Sequence, residues 1–172
     1  MKYISTRSKE KEYNFGEVFL KGLADDGGLY VPKSLKKYSS KELLGLKNLN
    51  YNELSTEIIN LFSADFISRE ELSSLINKSY STFREKEVIK ISSVGEIKLL
   101  ELFHGPTLAF KDIAMQFIGN LYEYYLNKND KKINIVVATS GDTGAAAIDA
   151  IKEIMSQSSG HLATERPFKL CF

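Results

Sequence analysis

The sequence predicts an α/β protein, a small helical domain followed by an incomplete doubly wound parallel sheet. Three observations predict it. Residues 1 to about 84 place apolar side chains at helical spacing within polar stretches. From Glu87 onward, β-branched and apolar runs alternate with amphipathic segments in the order strand–loop–helix–strand–loop–helix. Two loops of small and hydroxyl residues each follow a strand and precede a helix, the edge at which open α/β sheets bind ligands. The expected organisation is a helical domain over 1–84, a partial sheet domain over 85–154 and an atypical tail over 155–172.

Each element has its own signal. Phe15, Val18 and Phe19 share one helical face, and that helix stops before Gly22. The run from Gly22 to Pro32 sets turn formers between apolar residues and reads as an ordered loop. Leu54, Ile58, Leu61 and Phe62 repeat at i, i+4, i+7 and i+8, a second amphipathic helix. Ser68 followed by Glu71 forms a capping-box signature ahead of the stripe Leu72, Leu75 and Ile76. Val88–Ile91 and Ile97–Phe103 read as strands around a turn at Gly95. Residues 112–126 carry Ile113, Phe117, Leu121 and Tyr124 on one helical face, with Asp112 placed to cap it. Ile133–Ala138 is a short, nearly continuous apolar run of the kind buried in parallel sheets, and 143–154 is alanine-rich and helical. No strand is expected after that helix, because 156–167 is polar and turn-rich and only Phe168, Leu170 and Phe172 alternate.

Composition sets the bounds. Apolar residues make up 43% and charged residues 26%, ordinary globular usage. A net charge of +1 gives no global drive toward nucleic acid or an anionic membrane. No apolar run approaches the roughly 20 residues of a membrane span, and the charged start has no secretory core. One cysteine, Cys171, forms no internal disulfide, and with His161 it gives no zinc-ligand set. A cytoplasmic protein is expected.

The chemistry sits in two loops. In His104-Gly-Pro-Thr-Leu-Ala-Phe-Lys-Asp112, Lys111 stands at a strand–helix boundary beside Phe110, Ala109 and Ile113. Apolar surroundings disfavour a charged amine, and a neutral amine attacks a carbonyl to form a Schiff base. The plainer alternative is a surface lysine in a helix first turn. Twenty-eight residues on, Thr139-Ser-Gly-Asp-Thr-Gly144 offers hydroxyls, glycines and a helix N-terminus whose free N–H groups attract anions. It lacks the Gly-Lys-Ser/Thr ending of a nucleotide loop, so ATP and GTP are poor candidates, and a simple N-cap is its plainer reading. His104 either donates to a phosphate, acts as an acid or base, or caps a turn.

Pro106-Thr-Leu-Ala-Phe-Lys-Asp112 resembles the lysine segment of the fold type II, tryptophan-synthase-β-like pyridoxal-phosphate enzymes, and Thr139-Ser-Gly-Asp-Thr-Gly144 resembles their substrate-carboxylate loop. The longer segment Leu102–Asp112, the opening Tyr3-Ile-Ser-Thr-Arg7 and the loop Gly22–Pro32 are similar to those of threonine synthases in particular. The resemblance implies pyridoxal 5′-phosphate as cofactor and O-phospho-L-homoserine as small-molecule substrate, converted with water to L-threonine and phosphate. Lys111 is then the catalytic, cofactor-bearing residue, and Phe110 and Asp142 join it in holding the cofactor. Thr139, Ser140, Gly141, Thr143 and Gly144 are implied to bind the substrate. The resemblance ends near Lys152, and a later glycine-rich loop for the cofactor phosphate has no counterpart, since only Gly160 follows Gly144. The chain is therefore expected to be inactive alone. The alternatives are a non-catalytic partner of complete subunits, or another fold type II lyase such as threonine dehydratase.

Overall fold

A computed structural model describes residues 1–131, 133–139, 141–157 and 168–171; Ser140 and His161 lie outside the described residues. The chain divides into two compact units, Met1–Ser74 and Leu75–Phe172.

In the first unit, β1 (Tyr3–Ser5) pairs antiparallel with β2 (Tyr30–Pro32), with Ile4 opposite Val31. The sequence predicts only helices and a loop here, because three-residue strands are too short to register as alternation. Four helices follow: α1 (Phe15–Lys21), α2 (Ser40–Leu46), α3 (Tyr51–Ser63) and α4 (Arg69–Tyr80), the last running across the division. Every one opens on a reciprocal capping box, with Asn14 and Glu17, Ser39 and Glu42, Asn50 and Glu53, and Ser68 and Glu71 exchanging side-chain and backbone bonds. Each box satisfies two of the N–H groups a helix start leaves open. Helix α2 is not among the sequence expectations, although Ser39-x-x-Glu42 before Leu43 and Leu44 carries its signal.

The core of this unit is aromatic. Phe15 stacks on Phe19 at 5.8 Å between ring centroids, and Phe66 tilts against Phe15 at 5.4 Å. Buried Tyr3 donates its hydroxyl to the Phe62 carbonyl at 2.9 Å, and burial, then the Asp65 carboxylate, pushes its phenol up to about 12. The loop from Gly22 to Pro32 is ordered by Asp26. Its Oδ1 accepts from the Gly28 N–H at 2.9 Å and from the buried Ser5 hydroxyl at 2.8 Å, and both bonds hold its carboxyl below the usual range.

In the second unit, β3 (Lys90–Val94) and β4 (Ile97–Glu101) form an antiparallel hairpin over a two-residue turn. Gly95 takes the first corner at φ +61°, a conformation that costs glycine little. The strand starts two residues later than the sequence predicts. Val88 is buried at φ +63° and its N–H donates to the Glu85 carbonyl, so it belongs to the turn feeding β3. Helix α5 (Asp112–Asn129), β5 (Ile133–Val136), α6 (Asp142–Gln157) and β6 (Phe168–Cys171) complete the unit.

Strands β5 and β6 run parallel, pairing Ile133 with Phe168 and Val136 with Cys171. This corrects the expectation that no strand follows the alanine-rich helix: the alternation at Phe168 and Leu170 is that strand, displaced by a polar connection. Helix α6 also reaches Gln157, into the region assigned to the tail. Helices α5 and α6 pack together, and Leu126 and Ile151 form a buried core with Tyr122, Tyr125, Ile133 and Ile135 against it. The buried side of α5 is more polar than its apolar spacing predicts. Asp112, Gln116 and Asn120 are buried while Ile113, Phe117 and Tyr124 are only half-buried. Each of the three has a hydrogen-bond partner, which offsets the cost of burying it.

Candidate active site

Lys111 occupies the N-cap position of α5, and its carbonyl accepts from the Ala114 and Met115 N–H groups at 3.1 and 2.9 Å. The preceding loop is folded back on Asp112. That carboxylate is fully buried and accepts from the Thr107 N–H at 2.8 Å and the Thr107 hydroxyl at 2.7 Å. Asp112 thus closes the loop instead of capping the helix, where no side-chain cap bond forms. Gly105 packs so tightly on it that an added Cβ would lie 2.4 Å from the Asp112 Cβ. Leu108, at φ +63°, makes the tight bend between them.

This clasp presents Phe110 and Lys111 side by side. Phe110 is 57% exposed and the Lys111 Nζ stands 4.8 Å from its ring centroid. Among the described residues Lys111 has no carboxylate partner, so its amine is not committed to an ion pair. At the other end of the loop, His104 Nε2 lies 2.9 Å from Glu101 Oε2 at the close of β4.

The second loop is organised by Thr139. Its hydroxyl accepts from the Gly144 N–H at 2.9 Å and the Gly141 N–H at 3.3 Å, setting the first turn of α6. Gly144 must be small, because a Cβ there would meet the Thr139 Oγ1 at 2.7 Å. Asp142 is exposed in that turn, and Thr143 is half-buried. Ser140, implied above as a substrate ligand, lies outside the described residues.

An apolar cavity of about 350 Å³ lies between α5, β5 and α6, with Met115, Tyr122, Ile135 and Ala147 in its wall and Thr139 and Thr143 in its lining. Burial raises the Tyr122 phenol there. Lys111 and Phe110 are not in this wall. The expected residues therefore fall into two groups, Phe110 with Lys111 and Thr139 with Gly141, Thr143 and Gly144, borne on helices that pack together. Gln116 Nε2, donating to Asp149 Oδ2 at 2.8 Å, ties those helices. The sequence does not single out Gln116, Asp149 or Glu101, since a lone polar residue on a helix or strand has no spacing signal.

An uncommitted amine on a rigid loop, beside an aromatic ring, fits covalent capture of an aldehyde cofactor. A helix start with free backbone donors and hydroxyls fits an anionic ligand. Residues 2–80 match the family described as "Threonine synthase N terminus". The threonine synthase of Schizosaccharomyces pombe is 42% identical over 160 residues, covering 87% of this chain and 31% of the relative. That of Pseudomonas aeruginosa is 41% identical over 153 residues, covering 88% and 33%. The crystal structure of pyridoxal-phosphate-bound threonine synthase from Brucella melitensis superposes with a TM-score of 0.85 at 34% identity, covering 99% of this chain and 34% of that one. The chain spans about a third of the length of these relatives. With their N-terminal module, their fold and near 40% of their residues over most of its length, this chain belongs to the threonine synthase family.

Proposed function

We propose that this chain supplies the cofactor lysine and the substrate-carboxylate loop of a threonine synthase, a pyridoxal-phosphate lyase that turns O-phospho-L-homoserine and water into L-threonine and phosphate. The observation that carries the reading is the Lys111 amine, free of any carboxylate among the described residues and held on a loop closed by Asp112. Bound pyridoxal phosphate supplies an electron sink for the substrate's amino-acid carbons. Lys111 would hold the cofactor through its aldehyde, and its freed amine could move protons at the substrate carbons. Phe110 gives the amine an aromatic neighbour, and Asp142, exposed in the first turn of α6, would flank the cofactor. Thr139, Ser140, Gly141, Thr143 and Gly144 form the loop for the substrate carboxylate. Among the residues described there, the Thr139 hydroxyl fixes the backbone and the half-buried Thr143 borders the cavity.

The test is borohydride reduction of a family-length protein that carries these 172 residues, loaded with pyridoxal phosphate, followed by peptide mass analysis, alongside phosphate and threonine assays. The expected result is a reduced adduct on Lys111, lost in Lys111→Ala together with turnover. An adduct on another lysine, or deamination of threonine in place of its formation, overturns the reading.

A further inference from the structure

The lysine loop and the carboxylate loop head two different helices, α5 and α6, so the distance between them follows from how those helices sit on each other. The apolar part of that packing is shallow. Helix α6 buries Ala146, Ala147 and Ala150, and the cavity between α5, β5 and α6 reaches Met115, Gly119, Ala147 and Ala150. Helices take their register from ridges of side chains set into grooves, and alanine and glycine raise low ridges. The bulkier contact, Ile151 with Leu126, lies farther along both helices from the loops.

Gln116 and Asp149 meet on the loop side of that contact, about one turn into α5 and about two turns into α6. Gln116 is 1% exposed, and its Nε2 donates to Asp149 Oδ2 at 2.8 Å. A carboxylate oxygen only accepts, so the amide has one orientation there. The Gln116 carbonyl in turn accepts from the Asn120 side chain at 2.8 Å, and one turn earlier Thr107 bonds twice to Asp112. Asp112, Gln116 and Asn120 thus form a buried polar stripe at i, i+4 and i+8, running from the lysine loop past the link to α6. Replacing both members of a buried polar pair by apolar groups of like shape is nearly neutral for stability. What such a pair adds is direction. A hydrogen bond weakens steeply with distance and angle, so it is satisfied over a narrow range of offsets between two helices, where flat apolar faces tolerate many.

We propose that Gln116 and Asp149 are a positioning pair: their hydrogen bond fixes the offset between α5 and α6 and so holds the Lys111 amine at its working distance from the carboxylate loop. The proposal rests on the threonine synthase reading and adds to it the link that joins its two halves. Both residues act through the helices that carry Lys111 and Thr139–Gly144, not on the substrate itself. Displacing reacting groups by about 1 Å, through a change far from the chemistry, costs on the order of 100-fold in rate. Each loop keeps its own internal bonds when the offset changes, the lysine loop through Asp112 and the other through Thr139. Cofactor attachment and carboxylate binding therefore persist, while proton transfer by Lys111 slows.

The experiment uses a cofactor-loaded protein of family length that carries these 172 residues. Gln116→Met keeps the length of the side chain and removes the donor, and Asp149→Leu removes the acceptor. Each is expected to lower kcat for O-phospho-L-homoserine by about 10- to 100-fold, with KM little changed and the reduced adduct on Lys111 formed as before. Asp149→Asn keeps an oxygen acceptor for the Gln116 amide and is expected to retain most of the turnover. The double variant, Gln116→Met with Asp149→Leu, separates positioning from stability, and it carries the test where a single substitution strands one polar partner and fails to fold. Its urea midpoint is expected to return to that of the parent, since neither partner is left unpaired, while kcat stays low. Recovery of kcat together with stability in the double variant overturns the proposal, as does a double variant that remains both unstable and inactive. Unchanged kcat in Gln116→Met, or a loss in Asp149→Asn as large as that in Asp149→Leu, also overturns it. Absence of the Lys111 adduct from the unsubstituted protein overturns the threonine synthase reading instead, so the two failures are distinct.

Discussion

Asp112 decides the shape of the loop in front of α5. Its carboxylate is buried and accepts two bonds from Thr107, and Gly105 leaves no room for a side chain against it. Asp112→Ala would leave the Thr107 N–H and hydroxyl without acceptors, at a cost of roughly 2–3 kcal/mol. Urea unfolding of the second unit measures that cost, and cofactor attachment at Lys111 is expected to weaken with it. Gly105→Ala drives a Cβ to within 2.4 Å of Asp112, whereas Gly141→Ala meets nothing within 4 Å. The first is expected to impair both folding and cofactor attachment, and the second to leave stability nearly unchanged; equal effects would disprove the clasp. Lys111 stands out as a candidate in the sequence because its neighbours form a dense motif. The function of Asp112 was not, because a residue next to a helix start looks like a cap until its partner five positions back is seen.

Among elements, the capping box that opens α2 is sensitive to acid. In it the Ser39 N–H, then Lys36, holds the Glu42 carboxyl down at about 2 from an ordinary 4.5. A carboxylate with a depressed value in the folded state stabilises above its unfolded value and loses that contribution as pH falls through the folded one. The contribution of Glu42 to α2 is therefore expected to disappear between pH 4.5 and about 2. Amide exchange over Ser40–Leu46, compared with Glu42→Gln, reads it: the variant starts with a frayed α2 and changes little with acid. The other helices were legible because Leu54, Ile58, Leu61 and Phe62, or Leu72, Leu75 and Ile76, repeat over two turns or more. Seven residues of α2 give too little periodicity, and the three-residue strands β1 and β2 give none. Strand β6 was hidden for another reason, the polar stretch between it and α6, which local pattern alone does not bridge.

At the scale of the whole chain, 172 residues span about a third of the family's length. The β3–β4 hairpin carries Ile91, Val94, Ile97 and Leu100 largely open to solvent. Apolar pairs on an exposed two-stranded ribbon favour association with other surfaces. Purified by themselves, these 172 residues are expected to sediment as concentration-dependent oligomers and to release no phosphate from O-phospho-L-homoserine. Val94→Lys with Ile97→Lys should shift sedimentation toward the monomer. A monomeric parent that turns over substrate would contradict both expectations.

The Thr139 hydroxyl has one more consequence, for how many donors remain at the head of α6. It occupies the Gly144 N–H, and the Gly141 carbonyl occupies that of Ala145. Among the described residues, the N–H groups of Asp142 and Thr143 are left without an acceptor. Two adjacent donors match the two oxygens of a carboxylate and fall short of the three on a phosphate. For the proposed carboxylate ligand, one internal cap thus limits how many backbone donors the described residues of this loop offer.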